Sequence, residues 1–208
     1  DGINRTRMQP IEALWLPFPR LVRDLGRELS KELELVLEGG DTEIDRQLLE
    51  AMRDPIGHMV RNACDHGIES PEARRHAGKK PNGVIRLVAR QSGGHIYIEL
   101  SDDGRGIDPE RLRARAVSMG LMDESAGAEL SDGAAQALIF EPGLSTASAV
   151  TAISGRGVGM DVVRNNLERI GGTVEVRSRV GHGTQFIIRV PMTLSIVPAL
   201  IVGIAGRS

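Results

Sequence analysis

A stripe of polar side chains follows one predicted helix of this sequence. His58, Asn62, Asp65 and His66 recur at steps of three or four residues, which is the spacing of one helix face. Faces turned to solvent usually carry Lys and Glu, and Asn is a poor helix former. The stripe therefore indicates either a solvated face or a group that holds a ligand, with the Asn62 oxygen available to a metal ion.

An acidic turn containing two glycines, residues 101–107, comes directly after a predicted strand. Asp102 can accept a hydrogen bond from an exocyclic amine, and Gly104 and Gly106 allow close approach of the main chain to a ligand. A simple tight turn is the alternative. A calcium loop fits poorly, because the regular oxygen spacing and the final Glu of such a loop are missing.

A glycine-rich loop leads into another predicted helix. Gly155, Gly157 and Gly159 free main-chain N–H groups to converge on an anion, and the helix N-terminus adds partial positive charge. The spacing is G-x-G-x-G, which is neither the dinucleotide fingerprint nor a Walker phosphate loop. The loop predicts phosphate binding of another kind, with a flexible hinge before a helix as the alternative.

Apolar periodicity predicts the elements that must position these groups. Helices are predicted at 20–31, at 54–66 with its start at Asp54-Pro55 and its end at Gly67, from Ser70, at 108–119, near 132–139 and at 158–170. Strands are predicted at 32–38, 84–89, 95–100, 173–177 and 184–190, with a short strand and helix around 44–52. The rest of 120–156 is predicted to be mobile. Paired strands mixed with helices, without regular βαβ alternation, indicate an α+β two-layer sandwich with a mixed sheet and helices on one face.

Composition excludes several functions. The 208 residues carry a net charge of −2 and are only 2% aromatic, which argues against a basic nucleic-acid footprint and against stacking platforms for single strands. Glycine makes up 25 of the 208 residues, about 12%, against roughly 7% in an average protein. Unusual main-chain geometry is therefore expected at several positions.

The cellular setting is also predicted from composition. Cys64 is the one cysteine, so no intrachain disulfide can form and a reducing, cytoplasmic compartment is expected. The start at Asp1 without a signal segment indicates a piece of a longer protein. The uncharged stretch 190–206 contains prolines and is too short for a spanning helix, so direct membrane insertion is not expected.

In their order along the chain, the mid-helix Asn, the D-x-G-x-G turn, the G-x-G-x-G loop and Gly183-Thr184 resemble the GHKL ATPase superfamily. Within it the sequence resembles the ATP-binding catalytic domain of the chemotaxis histidine kinases, the CheA family. The strings that carry this resemblance are residues 54–69, 102–107, 140–146 and 154–161. It implies a GHKL (Bergerat) fold with a mobile ATP lid at 141–154.

The resemblance also implies a division of the chain. Residues 1–18 would end a dimerisation domain or linker, 19–191 would be the catalytic domain, and 192–208 would begin a CheW-like regulatory domain. The piece itself is expected to be a monomer and the whole kinase a homodimer.

By the same resemblance, Asp102 accepts a hydrogen bond from the adenine amino group, with aliphatic side chains such as Ile107 covering the base. Asn62 ligates Mg²⁺ and, with His58, forms the catalytic and metal-binding pair. His58 could orient or deprotonate an incoming imidazole, or hold a metal-bound water. Surface exposure is the alternative for Arg111 and Arg115 of the nucleotide-binding set. That set is Asn62, Asp65, His66, Asp102, Gly104, Gly106, Ile107, Arg111, Arg115, Ser145, Thr146, Gly155, Arg156, Gly157, Val158, Gly159, Met160 and Thr184.

The implied reaction is transfer of the γ-phosphate of Mg-ATP to a histidine on a phosphotransfer domain, in the same parent protein or in trans. The parent would act with a CheW-type adaptor, chemoreceptors and response regulators, in the cytoplasm at membrane receptor arrays. Two sequence departures, Leu144 in place of a common Phe and Ala147 in place of a basic residue, bear on lid closure. The alternatives are a GHKL ATPase that couples hydrolysis to conformational change, or a nucleotide sensor without catalysis.

Overall fold

A five-stranded mixed sheet and the helices on one of its faces make up the fold. The computed structural model describes residues 7–144 and 159–193. Its strands are β1 (Met8–Pro10), β2 (Glu32–Glu38), β3 (Glu43–Asp45), β4 (Asn82–Ser92), β5 (His95–Asp102), β6 (Thr173–Arg179) and β7 (Gly183–Pro191). Its α-helices are α1 (Glu12–Trp15), α2 (Phe18–Leu29), α3 (Arg46–Asn62), α4 (Pro71–His76), α5 (Pro109–Ser118), α6 (Glu124–Glu129), α7 (Asp132–Gln136) and α8 (Met160–Arg169).

The strand order of the main sheet is β2-β4-β5-β7-β6. The β2–β4 pair is parallel and the other pairs are antiparallel. The predicted hairpin at 84–100 is confirmed as β4–β5, and the predicted final strand pair as β6–β7. Strand β5, which ends at Asp102, is the middle strand and is hydrogen-bonded on both sides.

Side chains alternate across the sheet and give its two faces different character. Ile85, Leu87, Ile98 and Ile188 are fully buried and share one core with side chains of α2, α3 and α8. The residues between them are half-buried or exposed, as at Arg86, whose guanidinium pairs with Glu38 of β2. The predicted α+β sandwich with helices on one face is confirmed.

Helix α3 begins at Arg46, earlier than predicted. Pro55, which was expected in the first turn, lies inside the helix. Asp45 caps the helix, and its carboxylate accepts the main-chain N–H of Gln47 at 2.8 Å and that of Leu48 at 3.4 Å. An internal Pro costs a helix about 3 kcal/mol or more. Continuous burial of the apolar face from Leu48 to Val60 offsets that cost.

Residues 120–144 are more ordered than predicted. The predicted helix near 132–139 is present as α7 and a 3₁₀ turn, Ala137–Phe140, and the additional helix α6 precedes it. Asp123 caps α6 by accepting the N–H of Ala126 at 2.7 Å. Periodicity missed α6 because its six residues, ESAGAE, offer no apolar stripe. The remainder of the stretch predicted to be mobile, 145–156, lies outside the described residues.

The first described segment packs with the rest of the domain. Strand β1 pairs with β3, and Ile11, Leu14 and Trp15 are buried in the same core as the sheet. The packed unit thus starts before residue 19. Across residues 7–144 and 159–193, no helix is both long enough and apolar enough to span a lipid bilayer.

Candidate functional site

A cavity of about 950 Å³ opens between α3, the turn after β5, α5 and the start of α8. Pockets of roughly 300–1,000 Å³ are typical of small-molecule sites. Most of the predicted site residues that the structure describes lie in its wall. They are His58, Asn62, His66, Asp102, Gly106, Ile107, Arg111, Arg115, Gly159, Met160 and Thr184.

The remaining predicted site residues fall into two groups. Asp65 and Gly104 are described but lie beside the wall, not in it. Ser145, Thr146, Gly155, Arg156, Gly157 and Val158 lie outside the described residues, as does most of the predicted lid.

A π-helical turn, Ala63–Gly67, continues α3 and explains why Asp65 leaves the polar stripe. The hydrogen bonds of a π-helix span five residues, so each turn is wider and the regular α spacing ends. His58, Asn62 and His66 stay in the wall, while an Asp65 carboxylate oxygen lies 3.4 Å from His66 Nε2. The predicted stripe is therefore correct only up to the end of α3, with His66 regained by the wider turn.

Lys31, at the entry to β2, holds this π-helical turn. Its Nζ donates to the main-chain carbonyls of Cys64 at 2.8 Å and Asp65 at 2.7 Å. Burial lowers the pKa of Lys31, and the nearby Asp65 carboxylate opposes that shift. The sequence did not single out Lys31, since its partners are main-chain atoms more than thirty residues away.

Lys31→Met is expected to destabilise the domain by about 2 kcal/mol, because charged donors to buried acceptors contribute roughly 1.5–3 kcal/mol each and part of the turn can relax. Urea unfolding followed by circular dichroism measures the change. Lys31→Arg, which keeps a charged donor, is the matched control and should lose less. Equal stability of Lys31→Met and the unsubstituted protein would contradict the role of this lysine.

Asp102 ends the middle strand and reaches the cavity wall. One of its carboxylate oxygens accepts the main-chain N–H of Gly104 at 2.9 Å. Burial raises the pKa of Asp102 to about 6, hydrogen bonds from the main chain of Gly104 and Thr184 oppose the rise, and the neighbouring Asp103 charge adds to it. Asp102 is therefore a largely buried acceptor, and none of its described contacts is to a cation.

Glycine is required at two positions of the turn that follows β5. A Cβ on Gly104 would lie 2.0 Å from the Gly67 carbonyl oxygen, where the turn packs on the end of the π-helical turn. Gly106 has a φ of +75°, and a Cβ there would lie 2.3 Å from the Arg179 carbonyl oxygen. Both glycines thus allow two main chains to meet, a need separate from any approach of a base.

Apolar side chains outside the predicted nucleotide-binding set also line the wall, among them Leu100, Leu112, Ile139, Leu144 and Phe186. Phe186 packs edge-on against Phe140, with ring centroids 6.5 Å apart. The wall therefore contains an aromatic side chain in addition to the expected aliphatic ones. Alternation along β7 places Phe186 on the same face as Thr184, and that signal could have found it. Leu144, one of the two departures from the family pattern, is only 2% exposed.

Polar groups of the cavity wall come from α3, α5 and the start of α8. Gly159 precedes the first turn of α8, and Met160 in that turn lies 3.6 Å, Sδ to Nδ2, from the Asn62 amide. Arg115 donates to the Gly143 carbonyl at 3.4 Å. Within residues 7–144 and 159–193, no three His, Cys, Asp or Glu side chains are grouped so that they could hold a metal ion. A helix N-terminus and arginines suit an anion here.

This combination of a helix-on-sheet sandwich, a recessed carboxylate and a helix N-terminus around one cavity defines a nucleotide-binding class of ATPases and kinases. Residues 51–194 match the family described as histidine kinase-, DNA gyrase B-, and HSP90-like ATPase. The chain belongs to this family, and nucleotide binding is its shared property.

Two curated relatives that are nearly half identical to this chain are named as CheA proteins. The chain is 48% identical over 203 residues to the sensor histidine kinase CheAY of Helicobacter pylori, covering 98% of this chain and 25% of that protein. It is 47% identical over 207 residues to the chemotaxis protein CheA of Salmonella typhimurium, covering 100% of this chain and 30% of that protein. The chain thus spans about a quarter to a third of the length of these relatives.

Among solved structures, the histidine kinase AdeS of Acinetobacter baumannii aligns with a TM-score of 0.51 at 14% identity, covering 89% of this chain and 66% of that one. At such low identity the likeness concerns the fold alone. It agrees with the mixed sheet and one-sided helix layer described above.

Proposed function

We propose that this chain binds Mg-ATP and transfers the γ-phosphoryl group to a histidine on a separate phosphotransfer domain, as the catalytic domain of a chemotaxis histidine kinase. One observation carries the proposal: the wall of a single cavity combines the Asp102 carboxylate with His58, Asn62 and the start of α8. High identity to CheA proteins supports the same function.

The adenine base belongs beside Asp102 in the cavity. A desolvated carboxylate that still has a free lone pair accepts well from an exocyclic amine. Ile107 and Phe186 in the adjoining wall offer apolar contact to the faces of the base. A guanine base presents a carbonyl at the corresponding position, so the carboxylate would repel it.

The triphosphate belongs beside the polar groups of α3, α5 and the start of α8. The start of α8 directs main-chain N–H groups and partial positive charge toward an anion. Arg111 and Arg115, one helical turn apart on α5, are both in the wall. We propose that the loop at 155–158 and the lid at 141–154 complete this part of the site, with Ser145, Thr146, Gly155, Arg156, Gly157 and Val158 as ligands.

The residues present fit a magnesium ion shared with the nucleotide. Mg²⁺ is usually held by one or two protein oxygens together with substrate phosphates, so no closed cluster of acidic groups is needed. The Asn62 side-chain oxygen can serve, because the amide nitrogen is the atom that contacts Met160. When bound, the ion would neutralise charge on the phosphates during transfer.

His58 lies one helical turn before Asn62 and shares the wall with it. An imidazole there can orient or deprotonate the incoming histidine, or hold a metal-bound water. Phosphoryl transfer needs mainly in-line positioning and exclusion of water, and we propose that the cavity wall and the lid together supply both.

The larger protein would supply the rest of the signalling system. We propose the phosphotransfer domain as the direct partner, and a CheW-type adaptor, chemoreceptors and response regulators as partners of the parent. We also propose a division of the chain near residues 18 and 191: residues 1–18 end a dimerisation domain or linker whose last part packs on the catalytic domain, and a regulatory domain begins after 191. A cytoplasmic location accompanies these partners.

Incubation of the chain with γ-³²P-labelled ATP, Mg²⁺ and an isolated phosphotransfer domain tests the proposal. The acceptor domain should become labelled with an acid-labile, alkali-stable phosphate, as expected for phosphohistidine. The same acceptor with its histidine replaced by Gln is the control and should stay unlabelled. Sustained hydrolysis without transfer would support the ATPase alternative, and ATP binding with neither reaction would support the sensor.

A further inference from the structure

A cluster of four charged side chains lies behind the turn that carries Asp102, outside the cavity wall. Its cations are Arg74 and Lys79 and its anions are Glu69 and Asp103. Arg74 is only 1% exposed, which is rare for a charged residue. The cluster takes no part in the site described above, so its presence calls for a physical explanation.

The Arg74 guanidinium binds three places in the chain, and two of its four contacts are to Asp103. Nη1 donates to a Glu69 carboxylate oxygen at 2.9 Å and to the Asp103 carbonyl at 3.1 Å, and Nη2 donates to the Asp103 carboxylate at 3.1 Å. Nε donates to the Lys80 carbonyl at 2.7 Å. Both the main chain and the side chain of Asp103 are thereby held.

Lys79 also binds the main chain of this turn. Its ammonium donates to the carbonyls of Asp103 at 3.0 Å and Gly104 at 2.8 Å, and to the other Glu69 carboxylate oxygen at 2.7 Å. Asp103 in turn accepts the main-chain N–H of Val84, on β4, at 2.9 Å. Hydrogen bonds and ion pairs therefore connect the turn both to the sheet and to the segment around α4.

Lys79 is connected to Asp102 through two consecutive hydrogen bonds. Lys79 fixes the carbonyl of Gly104, and the N–H of Gly104 donates to the Asp102 carboxylate at 2.9 Å. A shift of this turn would move the Gly104 donor and so turn the carboxylate away from its direction toward the cavity. Arg74 is buried while the Asp103 carboxylate is half-exposed. Ion pairs taken out of water are a weak source of stability compared with apolar packing, which favours a role in positioning.

We infer that Lys79 and Arg74 are positioning residues for base recognition: they hold the Asp103–Gly104 main chain so that Asp102 selects an amino group over a carbonyl. The inference rests on the proposed function, since it takes Asp102 as the acceptor for adenine. Neither cation lines the cavity, so both act through the turn.

The test compares ATP with ITP, in which a carbonyl replaces the adenine amino group. Calorimetry gives the dissociation constant of each nucleotide, and the ratio of the ITP value to the ATP value measures discrimination. In Lys79→Met this ratio should fall by roughly fivefold to tenfold, because a loosened carboxylate repels the carbonyl less and accepts from the amine less well. Lys79→Arg, which keeps charged donors, should recover most of the ratio.

A purely structural role predicts a different result. If Lys79→Met lowers the thermal midpoint and weakens both nucleotides equally, the ratio is unchanged and the inference is wrong. Arg53→Met is the matched control: it removes an exposed ion pair with Glu50 within α3, takes no part in the hydrogen bonds that hold Asp103 and Gly104, and should leave the ratio unchanged. Lys79→Gln, which loses the charge but keeps one donor group, provides the measurement if Lys79→Met does not fold, and an unchanged ratio there would equally overturn the inference.

Asp102→Asn separates this inference from the proposed function. Since an amide can donate to the ITP carbonyl, this variant should lower the ratio whether or not Lys79 matters. A ratio that Asp102→Asn does not alter would reject Asp102 as the base acceptor. A ratio that falls in Asp102→Asn but not in Lys79→Met would reject the positioning role alone.

Discussion

Asp102→Asn should weaken ATP binding by about 10- to 100-fold while the domain stays folded. A hydrogen bond to a charged acceptor contributes roughly 1.5–3 kcal/mol, and the amide that replaces it can also present a donor to the adenine amine. The fold should persist because the Asn carbonyl oxygen can still accept the Gly104 N–H. Isothermal titration calorimetry at pH 7.5 measures the change, and an unaltered affinity would contradict the assignment of Asp102.

The same variant should alter the pH dependence of stability in the absence of nucleotide. Burial raises the pKa of Asp102 from 3.8 to about 6, so folding favours the protonated carboxyl. Its contribution to stability is greatest below pH 3.8 and is lost as the pH rises through 6. At pH 8 the unsubstituted domain therefore keeps a disfavoured charge that Asp102→Asn removes.

Relative to the unsubstituted protein, Asp102→Asn should thus gain stability at pH 8 and lose most of that gain at pH 4.5. Urea unfolding at the two pH values gives the difference in free energy. A relative gain that grows toward acid pH would show that the carboxyl is not desolvated in the folded state.

Asn62→Asp should change the magnesium dependence of ATP binding and slow phosphoryl transfer, by about 100-fold or more if the side chain is a metal ligand. The added carboxylate lies in the cavity wall near the proposed triphosphate, so it also repels the phosphates. Titration of ATP at several Mg²⁺ concentrations, together with the labelled transfer assay, measures both effects.

The matched control for this substitution is Asn165→Asp, which places the same charge on an exposed position of α8. It should leave the magnesium dependence as it was. If Asn62→Asp and Asn165→Asp show the same dependence on Mg²⁺, Asn62 is not part of the metal site.

Local patterns predicted the parts of the site that lie within one element or one turn. The spacing of His58 and Asn62 placed both in the cavity wall, because α3 keeps regular α geometry as far as residue 62. Asp102 was found because its turn directly follows a β-rich run. In these cases the sequence neighbours are also the spatial neighbours.

Features that depend on distant contacts were not predicted. The Asp54-Pro55 pattern predicts a helix start, and this prediction is wrong because the cap at Asp45 and the packed face that tolerate an internal proline lie elsewhere in the chain. The π-helical turn relies on Lys31, and the buried cluster joins Glu69 and Arg74 to Asp103, 29 residues beyond Arg74. No local periodicity encodes such pairs, since each partner alone resembles a surface charge.

The place of β5 as the middle strand has a consequence for thermodynamic linkage. Strands bonded on both sides open only with global unfolding, whereas peripheral segments open locally. A nucleotide that binds the carboxylate at the end of β5 is therefore released when the whole sheet opens, and its binding free energy adds to the unfolding free energy of the entire domain. At ATP concentrations near one hundred times the dissociation constant, the gain in unfolding free energy is about 2.7 kcal/mol. Because proteases cleave the opened form, the ATP concentration in the cell would also set how long this domain survives proteolysis.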